Sequence, residues 1–219
     1  MGWRFVLHSQ LSFNRSGAVA HQNKLLLRQG EKDMACGHHC VLMALMLLGQ
    51  VSRDDLYESD LDARLMEVSA MGQALYFSGC SSAAIREQFA PFSEQLQCRQ
   101  LRRNVEVRTV AALESDHVCL VRFTSPSYSH WVLAVGVMYA DGKPHSLLVL
   151  DPLMAGVPLT AQVTTAPAGT VPGWLQEVPG AGVEIVQAPG FTPGGRPVTV
   201  QVALLAGAVP MLVQVNVPS

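Results

Sequence analysis

Charge is what this chain has least of. Only 15% of its 219 residues are Asp, Glu, Lys or Arg, and 15 basic against 17 acidic side chains leave a formal net charge of -2. There is no long basic stripe, which argues against a nucleic-acid binder. Arg99, Arg102 and Arg103 do cluster, but three arginines in an expected linker read as a solvated face. Long hydrophobic runs are missing too. VALLAGAVPMLV is apolar for about a dozen residues before Gln214 and Asn216 interrupt it, short of the roughly 20 that span a bilayer. No membrane segment is expected. The opening stretch MGWRFVLHSQLSF carries Arg4 and His8 and no small-residue cleavage site, so a signal peptide is not expected. Cysteines number five, at 36, 40, 80, 98 and 119, an odd and scattered set that does not resemble a disulfide framework. A reduced, cytoplasmic setting is the corresponding expectation. No internal repeat is apparent.

Apolar residues, by contrast, make up 49% of the chain, enough to bury a substantial core, and a single domain over 1–219 is expected. Trp3 to Phe13 alternates like a strand, and Asn14 to Lys24 reads as a polar connection into Leu25–Arg28. An apolar helix follows from Cys36 to about Leu48, with Gly49 suited to its C-terminal cap. Ser52 with Asp54 and Asp55 signals a second helix start, extending to about Phe77 before Gly79 breaks it. Ser81 or Ser82 caps a third helix, ended by Pro91. After about Leu101 the period changes to two. Strands are expected at Val105–Val110, Val118–Phe123, Trp131–Tyr139 and Leu147–Leu150, the last two joined by an Asp141-Gly142 hairpin turn. Beyond Val157, Pro- and Gly-rich segments alternate with short strands at Val183–Gln187, Val198–Leu205 and Met211–Val217, which would extend the sheet or cover its edge.

The stretch QGEKDMACGHHCVLMALMLLG, Gln29 to Gly49, organises the rest. Cys36 opens the apolar helix, where unpaired N–H groups and the positive end of the helix dipole favour a thiolate. The order and spacing of Cys36, Gly37, Cys40, Met43, Leu45 and Gly49 resemble the active-site helix of the C39-like peptidases, a branch of the papain-like cysteine proteases. His130 in SHWVLAVGV and Asp151 in LLVLDPLMAG follow in that family's order, so the resemblance covers about 29–156, leaving 157–219 as a β-rich extension. It implies an α+β, papain-like fold: a helical half carrying Cys36, packed on an antiparallel sheet carrying His130 and Asp151. The hairpin at Asp141-Gly142 would by itself bring Asp151 beside His130.

The resemblance further implies roles. Cys36 is the expected nucleophile, His130 the general base and acid, Asp151 the group that orients it, and Gln29 a donor to the oxyanion together with the Cys36 N–H. Seven residues separate Gln29 from Cys36, one more than the family's usual spacing, which a loop bulge could absorb. Ala35 stands where exporter-linked members often carry aspartate, with Asp33 two positions earlier. Cys40, one turn on, reads as packing. His117 enters a strand one element too early, and His145 falls in the expected hairpin connection. The cluster CGHHC offers four ligand-type residues, but adjacent His38 and His39 diverge by about 100° on a helix and cannot join both cysteines on one face. No metal and no cofactor are expected. The expected function is cleavage of a peptide or protein substrate through a thioester intermediate. Two alternatives use the same residues: a glutamine deamidase or acyltransferase acting on a side-chain amide, and a non-catalytic papain-like module that binds a peptide.

Overall fold

The computed structural model describes residues 3–14, 17–30, 33–101, 105–125 and 128–152, and four later segments, 176–178, 183–188, 198–204 and 211–216. The architecture is α+β with antiparallel sheets. In chain order the first elements are β1 (Trp3–Leu7), β2 (Ser12–Asn14), β3 (Gly17–Ala20), β4 (Asn23–Lys24), α1 (Cys36–Leu47), α2 (Ala63–Leu75) and α3 (Ser82–Phe89). After these come β5 (Gln97–Leu101), α4 (Val105–Glu114), β6 (Val118–Ser125), β7 (Tyr128–Ala140) and β8 (Lys143–Leu150). Four strands complete the series: β9 (Gln176–Val178), β10 (Val183–Ala188), β11 (Val198–Leu204) and β12 (Met211–Asn216). The main sheet runs β5-β12-β6-β7-β8-β11-β10-β9, with β1 also paired to β7, while β2, β3 and β4 form a small separate sheet.

Helix α1 is apolar on nearly every side, and Cys40, Val41, Met43, Ala44, Leu45, Met46 and Leu47 are all buried. A helix of that kind has to lie inside the molecule. It ends in a Schellman motif: the Gly49 N–H donates to Met46 O at 3.1 Å and the Gln50 N–H to Leu45 O at 2.9 Å, with Gly49 at φ +69°. The sheet separates two apolar clusters. One joins α1 and α3 to Val118, Leu120, Trp131, Leu133 and Val135; the other gathers Val110 and Leu113 of α4 with Cys119, Val121, Val132, Ala134, Val137 and Tyr139. Strand β7 is therefore buried on both faces, which explains its continuous apolar run in place of alternation. A register shift between Ala134 and Gly136 changes the parity, so Val135 belongs to the first face and Val137 to the second.

The β7–β8 hairpin forms as expected, with Asp141 at φ 49° and Gly142 at φ 78° between Ala140 and Lys143. Other expectations are corrected. The strand expected over Trp3–Phe13 is two strands, because the chain turns at His8, whose C=O accepts the Leu11 N–H at 2.9 Å. Within the expected connection Asn14–Lys24, β3 and β4 form a hairpin whose turn residues, His21 at φ 47° and Gln22 at φ 67°, take the left-handed conformation without glycine. The helix signal at Ser52 starts only a 3-10 turn, Asp54–Leu56, and α2 begins later behind Asp62, whose carboxylate accepts the Arg64 N–H at 2.8 Å.

The strand expected over Val105–Val110 belongs to α4. Thr109, Val110, Ala112 and Leu113 are buried while Val107 is 72% exposed, the spacing of a helix face; alternation of valines with Glu106 and Arg108 imitated a strand. Arg99 lies on strand β5 and not in a linker, while Arg102 and Arg103 fall outside the described residues. The three later strands appear within a residue of their expected ends, joined by β9, and their pairings put β12 between β5 and β6. The rest of the extension lies outside the described residues. Among the described residues no helix is long and apolar enough to cross a membrane.

Candidate active site

The loop from Gln29 to Ala35 delivers the chain to the start of α1, and Asp33 holds it closed. This buried carboxylate accepts the Gly30 N–H at 2.5 Å through Oδ2 and the Ala35 N–H at 3.0 Å through Oδ1. Its own C=O accepts a hydrogen bond from Gln29 Nε2. Ala35, at the N-cap position, makes no side-chain cap, so the aspartate two residues upstream supplies the negative charge that a helix N-terminus favours. Gln29 is buried, and its N–H donates to Pro152 O at 3.0 Å, which ties the loop to the chain beside Asp151. Among the described residues, Gln29 Oε1 has no hydrogen-bond partner.

Cys36 opens α1 against the N-terminal part of β7. Strand β8 pairs with β7 as far as Leu133↔Leu150, and beyond that point the β7 edge is covered by helix side chains. The Trp131 N–H donates to Cys36 Sγ at 3.4 Å, and the Cys40 thiol donates to Trp131 O at 3.4 Å. Two sulfurs one helical turn apart thus bracket the backbone N–H and C=O of one residue. Gly37 lets the start of α1 pack closely on the segment leading into α3: a Cβ there would lie 2.6 Å from Cys80 Cβ and 2.9 Å from Ile85 Cδ1. The Trp131 indole N–H donates to Cys80 O at 2.9 Å and fixes the same contact from the strand side.

His130 and Asp151 are buried, with His130 Nε2 2.7 Å from Asp151 Oδ1. Cys36 is close enough to act on His130 as well. Burial is the largest single influence on His130 and pulls it down. The hydrogen bonds to Asp151 and Cys36, with the charges on both, outweigh that and raise it to about 9. At neutral pH the ring is an imidazolium held between a carboxylate and a sulfur. The structure therefore brings Cys36, His130 and Asp151 together and puts Gln29 in the adjoining loop, its amide engaged with Asp33.

The other candidates lie elsewhere or do other work. Cys40 is fully buried, and burial pushes its thiol well above the ordinary value. His38 Nδ1 is 2.6 Å from Gln88 Oε1, whereas His39 Nδ1 is 2.9 Å from Ala35 O, so the two rings are directed to different partners. Among the described residues no group of three or more His, Cys, Asp or Glu could hold a metal ion. His117 Nδ1 bonds Ser115 O at 2.7 Å in a separate pocket with His8 and His21. His145 lies on strand β8, not in the hairpin connection. Sequence reasoning overlooked the brace at Asp33, although an acidic residue just ahead of a helix is a recognisable signal. It could not have found the Trp131 peptide, which offers only backbone atoms. No protein-family model matches this chain, and no curated protein is significantly similar to it in sequence.

Proposed function

We propose that this protein is a thiol-dependent hydrolase resembling the C39-like, papain-like cysteine peptidases, and that it cleaves a peptide bond through Cys36, His130 and Asp151. The observation that carries the reading is the buried His130–Asp151 pair at 2.7 Å, on the strand whose next residue, Trp131, donates its N–H to the sulfur of a cysteine at a helix start. The papain-like assignment is supported by the disposition of parts, since an apolar helix bearing the cysteine packs on an antiparallel sheet bearing the other two residues. Five free cysteines fit the reduced compartment that such a thiol requires.

In the proposed reaction the proton of Cys36 resides on His130, and Sγ attacks the scissile carbonyl carbon. His130 then protonates the leaving amine, giving a thioester. A water molecule, deprotonated by the same ring, hydrolyses the thioester and returns the thiol. Asp151 stabilises the imidazolium and fixes the ring by holding Nε2. Two donors are available for the oxyanion. The Cys36 N–H opens a helix and so has no intrahelical acceptor. Gln29 Nε2 carries two hydrogens, one of which goes to Asp33 O.

The test is turnover of a peptide library read by mass spectrometry, with Cys36→Ala alongside. Cleavage by the parent chain and none by the variant is the expected result. Conversion of glutamine to glutamate without cleavage would replace peptidase by deamidase, and equal behaviour of the two proteins would remove the nucleophile.

A further inference from the structure

The two chain segments that meet beside the Cys36 sulfur are uncharged. Neither Met34–Ser52 nor Val68–Ile85 contains Asp, Glu, Lys or Arg. They join through the Met34 N–H, which donates to Tyr76 O at 2.6 Å. Gly79, at φ +73°, then turns the second segment back so that its Cα faces the Met34 carbonyl and Cβ. Leu75, one residue before this junction, packs against the main core, but the side chains at the junction itself point outward. Met34 is 52% exposed, Tyr76 40% and Phe77 79%.

These three are half of the six large apolar side chains exposed among the described residues. The Tyr76 and Phe77 rings meet edge to face with centroids 4.9 Å apart, and the Tyr76 hydroxyl reaches toward Gly30, next to Gln29. Residue 34 links the patch to the proposed nucleophile, since the Met34 C=O lies 3.9 Å from Cys36 Sγ. Contiguous apolar side chains left in water at the mouth of a cleft mark ligand contact.

We propose that Met34, Tyr76 and Phe77 form a specificity subsite that receives an uncharged, apolar side chain of the peptide substrate next to the scissile bond. The proposal rests on Cys36 being the nucleophile. Neither Met34–Ser52 nor Val68–Ile85 offers a counter-ion to an acidic or basic side chain, whereas a leucine or phenylalanine side chain would cover the exposed rings and thioether. The Tyr76 hydroxyl provides one polar contact at the rim for the peptide backbone.

The experiment uses chloroacetyl-capped tripeptides that differ in a single residue, Leu, Phe, Asp or Lys, with iodoacetamide as a reference that has no side chain. Alkylation forms the S–C bond and expels chloride while the thiol proton passes to the base, and the labelled cysteine is located by mass spectrometry. Normalised to iodoacetamide, the Leu and Phe probes are expected to label Cys36 at least about ten-fold faster than the Asp and Lys probes. Met34→Ser and Phe77→Ser should each erode that preference with the melting temperature unchanged. Equal labelling by all four probes overturns the subsite and leaves the reactive thiol standing. A preference insensitive to both substitutions, or a fall in melting temperature with the preference intact, also overturns it, since these side chains would then be packing elements. Failure of iodoacetamide to label Cys36 removes the nucleophile and the subsite together.

Discussion

Replacing Asp151 by asparagine isolates what the carboxylate contributes, because asparagine keeps the shape and an oxygen for His130 Nε2–H while removing the charge. Burial acts on His130 more strongly than any other single influence and favours the neutral ring; Asp151 is first among the groups that oppose it, lifting the ring to about 9 from an ordinary 6.5. That net lift of 9 minus 6.5 units corresponds to about 3 kcal/mol of preference for the imidazolium left after burial has been overcome, so Asp151 and Cys36 together supply more than that. Without the charge, burial prevails and the ring loses its proton at lower pH. The alkaline limb of the kcat/KM profile, expected near 9 in the parent, should move toward and below 6.5 in Asp151→Asn. Turnover at neutral pH should fall by about one to three orders of magnitude, with little change in substrate affinity. Stability follows with a definite sign. A pKa raised on folding contributes stability that is fully present below 6.5 and lost as pH rises through about 9, so the parent should show this decline in melting temperature and the variant should not. The assay is kcat and KM against pH for the parent, Asp151→Asn and Asp151→Ala. If both variants keep the parent's limb and rate, Asp151 is only a turn residue before Pro152.

Two further substitutions separate packing from chemistry at the helix start. Cys40→Ala removes a fully buried sulfur and its contact with Trp131 O, and should cost on the order of 1–2 kcal/mol in chemical denaturation while activity per folded molecule is retained. Gly37→Ala forces a methyl group to within 2.6 Å of Cys80 Cβ and 2.9 Å of Ile85 Cδ1, and should cost about 1–3 kcal/mol in chemical denaturation, because α1 and the segment leading into α3 must move apart. A Gly37→Ala protein with unchanged stability would refute the close docking of α1 on that segment.

The parts of the site that were legible in the sequence are those that local chemistry determines. An Asp-Gly turn at 141–142 pairs Ala140 with Lys143, and counting outward along the ladder reaches Leu133↔Leu150. Two opposite register shifts cancel on the way. Asp151 then falls two residues from the His130 position on the same side of the ladder, which is why the hairpin alone placed them together. The helix end was equally plain, since Gly49 is the residue a Schellman turn selects. Long-range pairings were not legible: nothing near Met211–Asn216 indicates that this strand pairs with both β5 and β6. The β3–β4 turn was hidden because His21 and Gln22 occupy a conformation usually given to Asn and Gly. Helix α4 was hidden because β-branched residues at alternate positions satisfied two periods at once, and only burial against the sheet selected one.

Strand β7 has partners along both edges for nearly its whole length. On one side are β6, then the His8 N–H at Val135 O, then β1; on the other are β8 and, past its end, the two sulfurs of α1. Amide protons so enclosed exchange only in openings that dismantle the sheet, and His130, the proposed base, sits on this strand. Cys36, the proposed nucleophile, is reached through a short loop held by the Asp33 carboxylate and by Gln29, whose N–H donates to Pro152 O. On the proposed reading that loop is the moving side of the cleft, and His130, held on the sheet, is the fixed anvil against which it closes.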